Sequence, residues 1–198
     1  MAKEFYRETD GIWRLCVPFF TVYTSVFLID TPKGYILVDC ATTDEDVDGY
    51  IIPAIKKLGI SLSDVKTIVI THNHSDHAGG LSRIQHHMPH VEVVREVKDL
   101  CDGVATYPLT GHTKDFVGVF DSRTGTLISG DGLQGAGIKQ YRTSLADKEG
   151  YKETLERIRL DERIANVLFS HEYEPWYENG FFGRENVLEV LVDCLKYV

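Results

Sequence analysis

A chain of 198 residues with 43% hydrophobic and 26% charged content has the make-up of an ordinary soluble globular protein, long enough to bury a core without disulfide help. A net charge of -9 and a pI near 5.3 work against attraction to nucleic-acid phosphates or an anionic membrane surface. The charged start Met1-Ala2-Lys3-Glu4-Phe5-Tyr6-Arg7-Glu8 has no signal-peptide core, and no apolar run reaches membrane-spanning length. These features predict a cytoplasmic protein with a single domain over residues 1–198.

In chain order, Ile12–Val17, Ser25–Asp30 and Tyr35–Asp39 read as strands of a meander, the last two joined by the turn Thr31-Pro32-Lys33-Gly34. Val47, Ile51, Ile55 and Leu58 recur at helical spacing. Gly49 and Pro53 weaken the first turns and predict a later start, and Gly59 is placed to stop the helix. Val65–Ile70 reads as a buried strand, Gly79–His87 as a helix ended by Pro89, and Val91–Arg95 as a short strand. His86, His87 and His90 fall at that helix end among polar neighbours and read as solvated side chains.

The second half predicts strands at Thr106–Leu109, Phe116–Asp121 and Thr126–Ser129, with Ser122-Arg123-Thr124-Gly125 turning the last pair. A helix over Asp147–Leu160 presents Tyr151, Leu155 and Ile158 on one face, and Asn166–Phe169 reads as a strand. The final helix, Arg184–Val198, carries Val187, Leu188, Leu191, Cys194, Leu195 and Val198 as its apolar stripe. Helices thus follow strand-rich blocks, as in a layered α/β domain. Cys16, Cys40, Cys101 and Cys194 lack C-x-x-C spacing and read as reduced thiols, with Cys40, next to Asp39, the one to watch.

The chemistry concentrates in Thr71-His72-Asn73-His74-Ser75-Asp76-His77-Ala78-Gly79-Gly80, directly after the Val65–Ile70 strand. If the chain leaves that strand extended, His72, His74 and Asp76 point to one side and His77 faces across from them, so one loop can serve two metal positions. Imidazole and carboxylate without thiolate suit zinc and other first-row divalent ions in a site open to water. A solvated imidazole-rich loop is the alternative, but it accounts less well for a run set between a buried strand and a Gly-Gly pair. Three further groups stand at strand ends: His112 after Leu109-Thr110-Gly111, Asp131 between Gly130 and Gly132, and His171 after Leu168-Phe169-Ser170.

Taken in order, His72-x-His74-x-Asp76-His77, His112, Asp131 and His171 resemble the metallo-β-lactamase superfamily, and within it the glyoxalase II-like zinc hydrolases with seven metal ligands. The resemblance extends over Ser25–Asp39 and Thr113–Asp131. It implies an α/β fold, the four-layer αββα sandwich with metals at one edge between the sheets. It also implies two divalent metal ions per chain, zinc first, with iron or manganese as alternatives. His72, His74 and His112 would hold the first metal, Asp76, His77 and His171 the second, and Asp131 would bridge them. A metal-bridging hydroxide would attack an ester, thioester, lactone or lactam carbonyl of a small substrate, with Asp76 and Asp131 as the catalytic carboxylates. Asp39 resembles the family's aspartate near the site, where it would orient a ligand histidine or simply cap its strand.

Departures from the family pattern bear on the substrate: Thr110 stands where many relatives have proline, and Glu172 and Tyr173 follow His171 where a small residue is common. Recognition would fall to short stretches, Pro18 to Tyr23, Gly132 to Ile138 and Tyr173 to Tyr177. The glycine-rich middle one reads as a mobile lid or a loose connection, and Lys139 and Arg142 as surface charge or as a draw for a substrate carboxylate. Two rival functions remain: a mononuclear iron oxygenase resembling the persulfide dioxygenases, which the complete second ligand set argues against, and a noncatalytic metal-binding module. The expected partner is a small-molecule substrate, with no nucleic acid and no membrane. The sequence sets neither the substrate nor the oligomeric state.

Overall fold

The computed structural model describes residues 3–135, 145–174 and 176–198. The chain divides into two compact units, with the boundary between Arg95 and Glu96.

The first unit is built on a six-stranded sheet in the order β1-β2-β3-β4-β5-β6. Strands β1 (Tyr6–Thr9), β2 (Ile12–Phe19), β3 (Val22–Thr31) and β4 (Gly34–Val38) form the antiparallel meander expected from the turn chemistry. β5 (Val65–Val69) then pairs parallel to β4, and β6 (Glu92–Val94) parallel to β5. Parallel pairing requires crossovers, and helices supply both. The first crossover runs through α1 (Asp44–Asp46), a π-helical turn (Val47–Ile51) and α2 (Ile52–Lys57). The second runs through α3 (Ser75–Ala78) and α4 (Leu81–His87). Leu15, Val17, Val26, Leu28, Leu37 and Ile68 from the sheet bury against Val47, Ile51, Ile55 and Ile84 from these helices.

The first helical segment starts earlier than Gly49 and Pro53 predict. Thr43 caps it in a reciprocal capping box with Asp46, and the π turn hydrogen-bonds the Ile52 N–H back to Val47 O. Pro53 lacks an amide hydrogen and its ring would crowd the Gly49 carbonyl in a regular α-helix. The wider turn tolerates it there.

The second unit carries a six-stranded sheet in the order β12-β11-β10-β9-β8-β7. Its strands are β7 (Asp99–Cys101), β8 (Val104–Pro108), β9 (Val117–Asp121), β10 (Thr126–Gly130), β11 (Asn166–Tyr173) and β12 (Glu178–Phe182). Only the β10–β11 pair is parallel, and α5 (Lys148–Leu160) lies on that connection. Tyr151, Leu155 and Ile158 face inward as the spacing predicts, and meet Val187, Val190, Leu191 and Cys194 of α6 (Arg184–Leu195). The α6 stripe differs from expectation. Leu188 and Leu195 are 37% and 51% exposed, whereas Val190 is buried. Positions 187, 190, 191 and 194 follow one face at about 100° per residue, and 188 and 195 fall on its flank.

Three strands that the sequence pattern does not announce, β1, β7 and β12, are all sheet edges, where one side is open and alternation is weak. No helix among the described residues is long and apolar enough to cross a membrane.

Gly80 sits where the chain after the histidine loop crosses the 40–42 segment. A Cβ there would lie 2.3 Å from the Cys40 carbonyl oxygen and 2.6 Å from Val47 Cγ2. Gly80→Ala should therefore destabilise the fold by roughly 1–3 kcal/mol, the usual cost of overpacking, read as a lower urea midpoint at unchanged m-value.

Candidate metal centre

In the first unit the chain leaves β5, bends at Asn73 and His74, the latter itself at extended dihedrals (φ -68°, ψ 152°), and turns helical over Ser75–Ala78. The extended alternation predicted for the whole loop therefore does not reach Asp76 and His77. Helical geometry swings His77 back toward His72 rather than across from it: ring centroids lie 4.5 Å apart for His72 and His74, and 4.2 Å for His72 and His77. The helix predicted to begin at Gly79 is two pieces, and the first of them carries Asp76 and His77. His72, Asp76 and His77 are buried, and His74 is exposed.

Asp39 organises this loop. It lies just past β4 at φ 64°, a left-handed conformation that aspartate adopts more readily than most side chains, and it is 1% exposed. Its carboxylate accepts the Thr71 N–H at 2.8 Å, the Thr71 hydroxyl at 2.9 Å and His77 Nδ1–H at 2.8 Å. Because the Thr71 hydroxyl donates to Asp39, it accepts from His72 Nδ1 at 3.0 Å. Both buried histidines thus carry their proton on Nδ1, which leaves the Nε2 lone pair for a ligand. Backbone bonds hold the same crossing: Cys40 N–H to His77 O at 2.7 Å and Gly80 N–H to Ala41 O at 3.2 Å. Burial, and then the Asp39 carboxylate, raise the Cys40 thiol well above its ordinary pKa and favour its neutral form.

In the second unit two irregularities re-aim strand ends. On β10 the pairing passes from Ile128↔Leu168 to Gly130↔Phe169, an inserted residue that bends the strand just before Asp131. On β11 the pairing with β12 passes from Leu168↔Gly180 to Tyr173↔Glu178, and His171 lies within that irregular stretch. His112 Nε2 lies 3.7 Å from one oxygen of Asp131, and His171 Nε2 lies 3.4 Å from the other. One carboxylate thus faces two imidazoles through different oxygens. His112 and Asp131 are buried, and His171 is partly so.

The donor set fits divalent metal. With Nδ1 of His77 protonated, its Nε2 lone pair stands 3.1 Å from Asp76 Oδ2, an arrangement that repels unless a cation or a second proton lies between. Within the first unit His72, His74, Asp76 and His77 lie together, and within the second His112, Asp131 and His171 do, each a cluster of donors of the kind that metals take. The three other histidines serve elsewhere: His87 bonds Asp48 at 2.7 Å, His90 the Val65 carbonyl at 3.0 Å, and His86 is exposed.

The proposed recognition stretches separate on inspection. Phe20, at the β2–β3 turn, is 94% exposed, whereas Tyr173 is a core residue stacked on Trp176. Residues 132–135 are held in place, with Leu133 buried and the Gly132 N–H bonded to Ser129 O at 2.8 Å. Residues 136–138, Lys139, Arg142 and Pro175 lie outside the described residues. Thr71, which links Asp39 to His72, is the participant the sequence did not single out; its position between a strand and the first histidine was the available signal.

Residues 20–100 match the family described as the metallo-beta-lactamase superfamily. The chain is 30% identical over 203 residues to a beta-lactamase-like protein 2 homolog of Drosophila melanogaster, covering 88% of this chain and 62% of that relative. It therefore spans less than two thirds of the fly protein's length. It is 27% identical over 176 residues to a hydroxyacylglutathione hydrolase of Vibrio cholerae serotype O1, covering 75% of this chain and 68% of that one. Among solved structures it matches a metallo-β-lactamase of Pseudomonas aeruginosa, crystallised in a mono-zinc form, with a TM-score of 0.73 at 19% identity, over 98% of this chain and 97% of the other.

Asp39→Asn keeps the size and the backbone tolerance of the side chain but removes one charged acceptor from the Thr71 and His77 donors. Zinc affinity should fall about 10–100-fold while the thermal midpoint stays close to wild type, measured by competition with a chromogenic chelator and by circular dichroism. Unchanged affinity would reduce Asp39 to a strand cap.

Proposed function

We propose that the chain, whose residues 20–100 match the metallo-beta-lactamase superfamily and whose fold resembles a solved metallo-β-lactamase, is a dinuclear metal-dependent hydrolase acting on an ester, thioester, lactone or lactam carbonyl of a small substrate. The observation that carries this reading is the Asp131 carboxylate, which turns one oxygen toward His112 and the other toward His171. That is the disposition a bridging ligand needs. The reading requires the 72–77 loop of the first unit and the strand-end loops of the second to share ions: His72, His74 and His112 for one, Asp76, His77 and His171 for the other.

Held by these residues, divalent ions would supply Lewis acidity, which lowers the pKa of a water ligand from about 15.7 toward about 7. The chain's own contribution is orientation and charge. Asp39 fixes His77, and through Thr71 it fixes His72, in the tautomer that ligates. Asp76, next to His77 Nε2, is placed to ligate and to accept a hydrogen bond from an attacking oxygen. Three of the histidines and both aspartates are buried, so little bulk solvent competes for their donor atoms. The likeness to a hydroxyacylglutathione hydrolase favours a thioester within the carbonyl class.

Elemental analysis of untreated protein should find two zinc, iron or manganese ions per chain, and a thioester or lactone screen should show turnover that a chelator abolishes. Asp131→Ala should lose paired occupancy; two retained metals in that variant would refute the bridging role. One iron per chain with oxygen consumption on a persulfide would replace the hydrolase by an oxygenase. Two zinc ions with no turnover across esters, thioesters, lactones and lactams would leave a metal-binding module.

A further inference from the structure

Within the second unit, α5 lies along the turn that delivers His112. The Asp147 N–H donates to Gly111 O at 3.1 Å, the Thr154 hydroxyl to Thr110 O at 2.8 Å, and Arg157 Nη1 to Pro108 O at 2.9 Å. Tyr151, on the same helix and fully buried, does two things at once. Its ring is pressed on the turn before His112: a Cβ on Gly111, whose φ is +146°, would come within 2.6 Å of Tyr151 Cδ2. Its hydroxyl accepts the Gln134 N–H at 2.9 Å and donates to Gln134 O at 3.1 Å, three residues beyond Asp131. A backbone residue gripped through both of its polar groups is held in orientation as well as in distance.

We infer that Tyr151 is a positioning residue for the candidate metal centre, a strut whose ring backs the His112 turn and whose hydroxyl anchors the segment leaving Asp131, so that the two ligands keep a fixed separation. This rests on the reading of His112 and Asp131 as metal ligands. The strut works through neutral hydrogen bonds, because burial, with the Cys194 thiol next in effect, raises the Tyr151 phenol well above its ordinary range and keeps it protonated. A second contact ties the same segment to the core: a Cβ on Gly135 would lie 2.2 Å from the Tyr173 hydroxyl on β11 and 2.3 Å from Asp193 Oδ2 on α6. Loop and helix are therefore one mechanical piece, and the phenol is its polar joint.

The test compares Tyr151→Phe, which keeps the ring and removes the hydroxyl, with Ile158→Val, which trims a buried residue of the same helix that bonds neither loop. In the metal-free proteins, amide hydrogen exchange at Gln134 should accelerate at least about tenfold in Tyr151→Phe and stay unchanged in Ile158→Val. On titration with cobalt(II), Tyr151→Phe should bind about 10–100-fold more weakly and shift the visible d–d band, whereas Ile158→Val should keep the wild-type band and affinity even where its thermal midpoint falls as far. A Gln134 amide as protected as in wild type, a Tyr151→Phe spectrum and affinity equal to wild type, or an equal shift in Ile158→Val would each overturn the inference. A wild-type chain that takes up no cobalt would instead overturn the metal reading on which it rests, and the exchange measurement alone would then decide whether the strut exists.

Discussion

One buried carboxylate carries the organisation of the first unit. Asp39 leaves β4 in a left-handed conformation and is taken out of water, a costly placement for an anion unless its oxygens are bonded. Three donors meet that need, and all of them come from the 71–77 stretch. The cost of burying the charge is therefore met only when that stretch is folded against the end of β4, which makes formation of the histidine loop and burial of Asp39 a single event. The same bonds set the protonation of His72 and His77. Fold stability and ligand chemistry thus draw on one group.

The second unit solves the same problem without a buried anion as its hub. Its candidate ligands stand on strand ends, and irregularities in pairing decide where those ends point. An extra residue on β10 turns the chain at Gly130, and the long mismatch between β11 and β12 contains His171. A regular ladder would keep successive side chains alternating across the sheet. Breaking it lets two histidines reach one aspartate from different sides. Helix α5 then fixes the remaining freedom by hydrogen-bonding the turn before His112 at three carbonyls. Rigid elements behind short loops are what a site needs when its geometry must hold to within fractions of an ångström.

The comparisons and the geometry address different levels. Structural likeness at 19% identity speaks to fold, and a family match over residues 20–100 reaches the first ligand cluster but stops before His112, Asp131 and His171. Those three belong to the second unit, where Asp131 faces both histidines. Fold alone hosts many chemistries, so it is the disposition of these side chains that bears on reaction type, and the short aromatic stretches that bear on substrate.

Composition, period and spacing by themselves determined the meander, the inward face of α5, the turn chemistry and the metal-competent run at 72–77, because each of these is written in local residue order: alternation for strands, threefold and fourfold recurrence for helices, a dense run of imidazoles after a buried strand; that His112, Asp131 and His171 complete a ligand set is what the family resemblance implies. Three of the four edge strands, β1, β7 and β12, were illegible, since a strand with one open side needs no alternating pattern. The start of the first helix was misread because a π turn and a capping box absorb a glycine and a proline that would weaken a regular helix. Only the tertiary structure decided that His77 lies against His72, that Thr71 relays Asp39 to it, and that α5 braces the turn before His112. Those relations join residues tens of positions apart, and nothing in local order encodes which distant carbonyl a buried hydroxyl will find. That is settled when burial forces every polar group to take a partner.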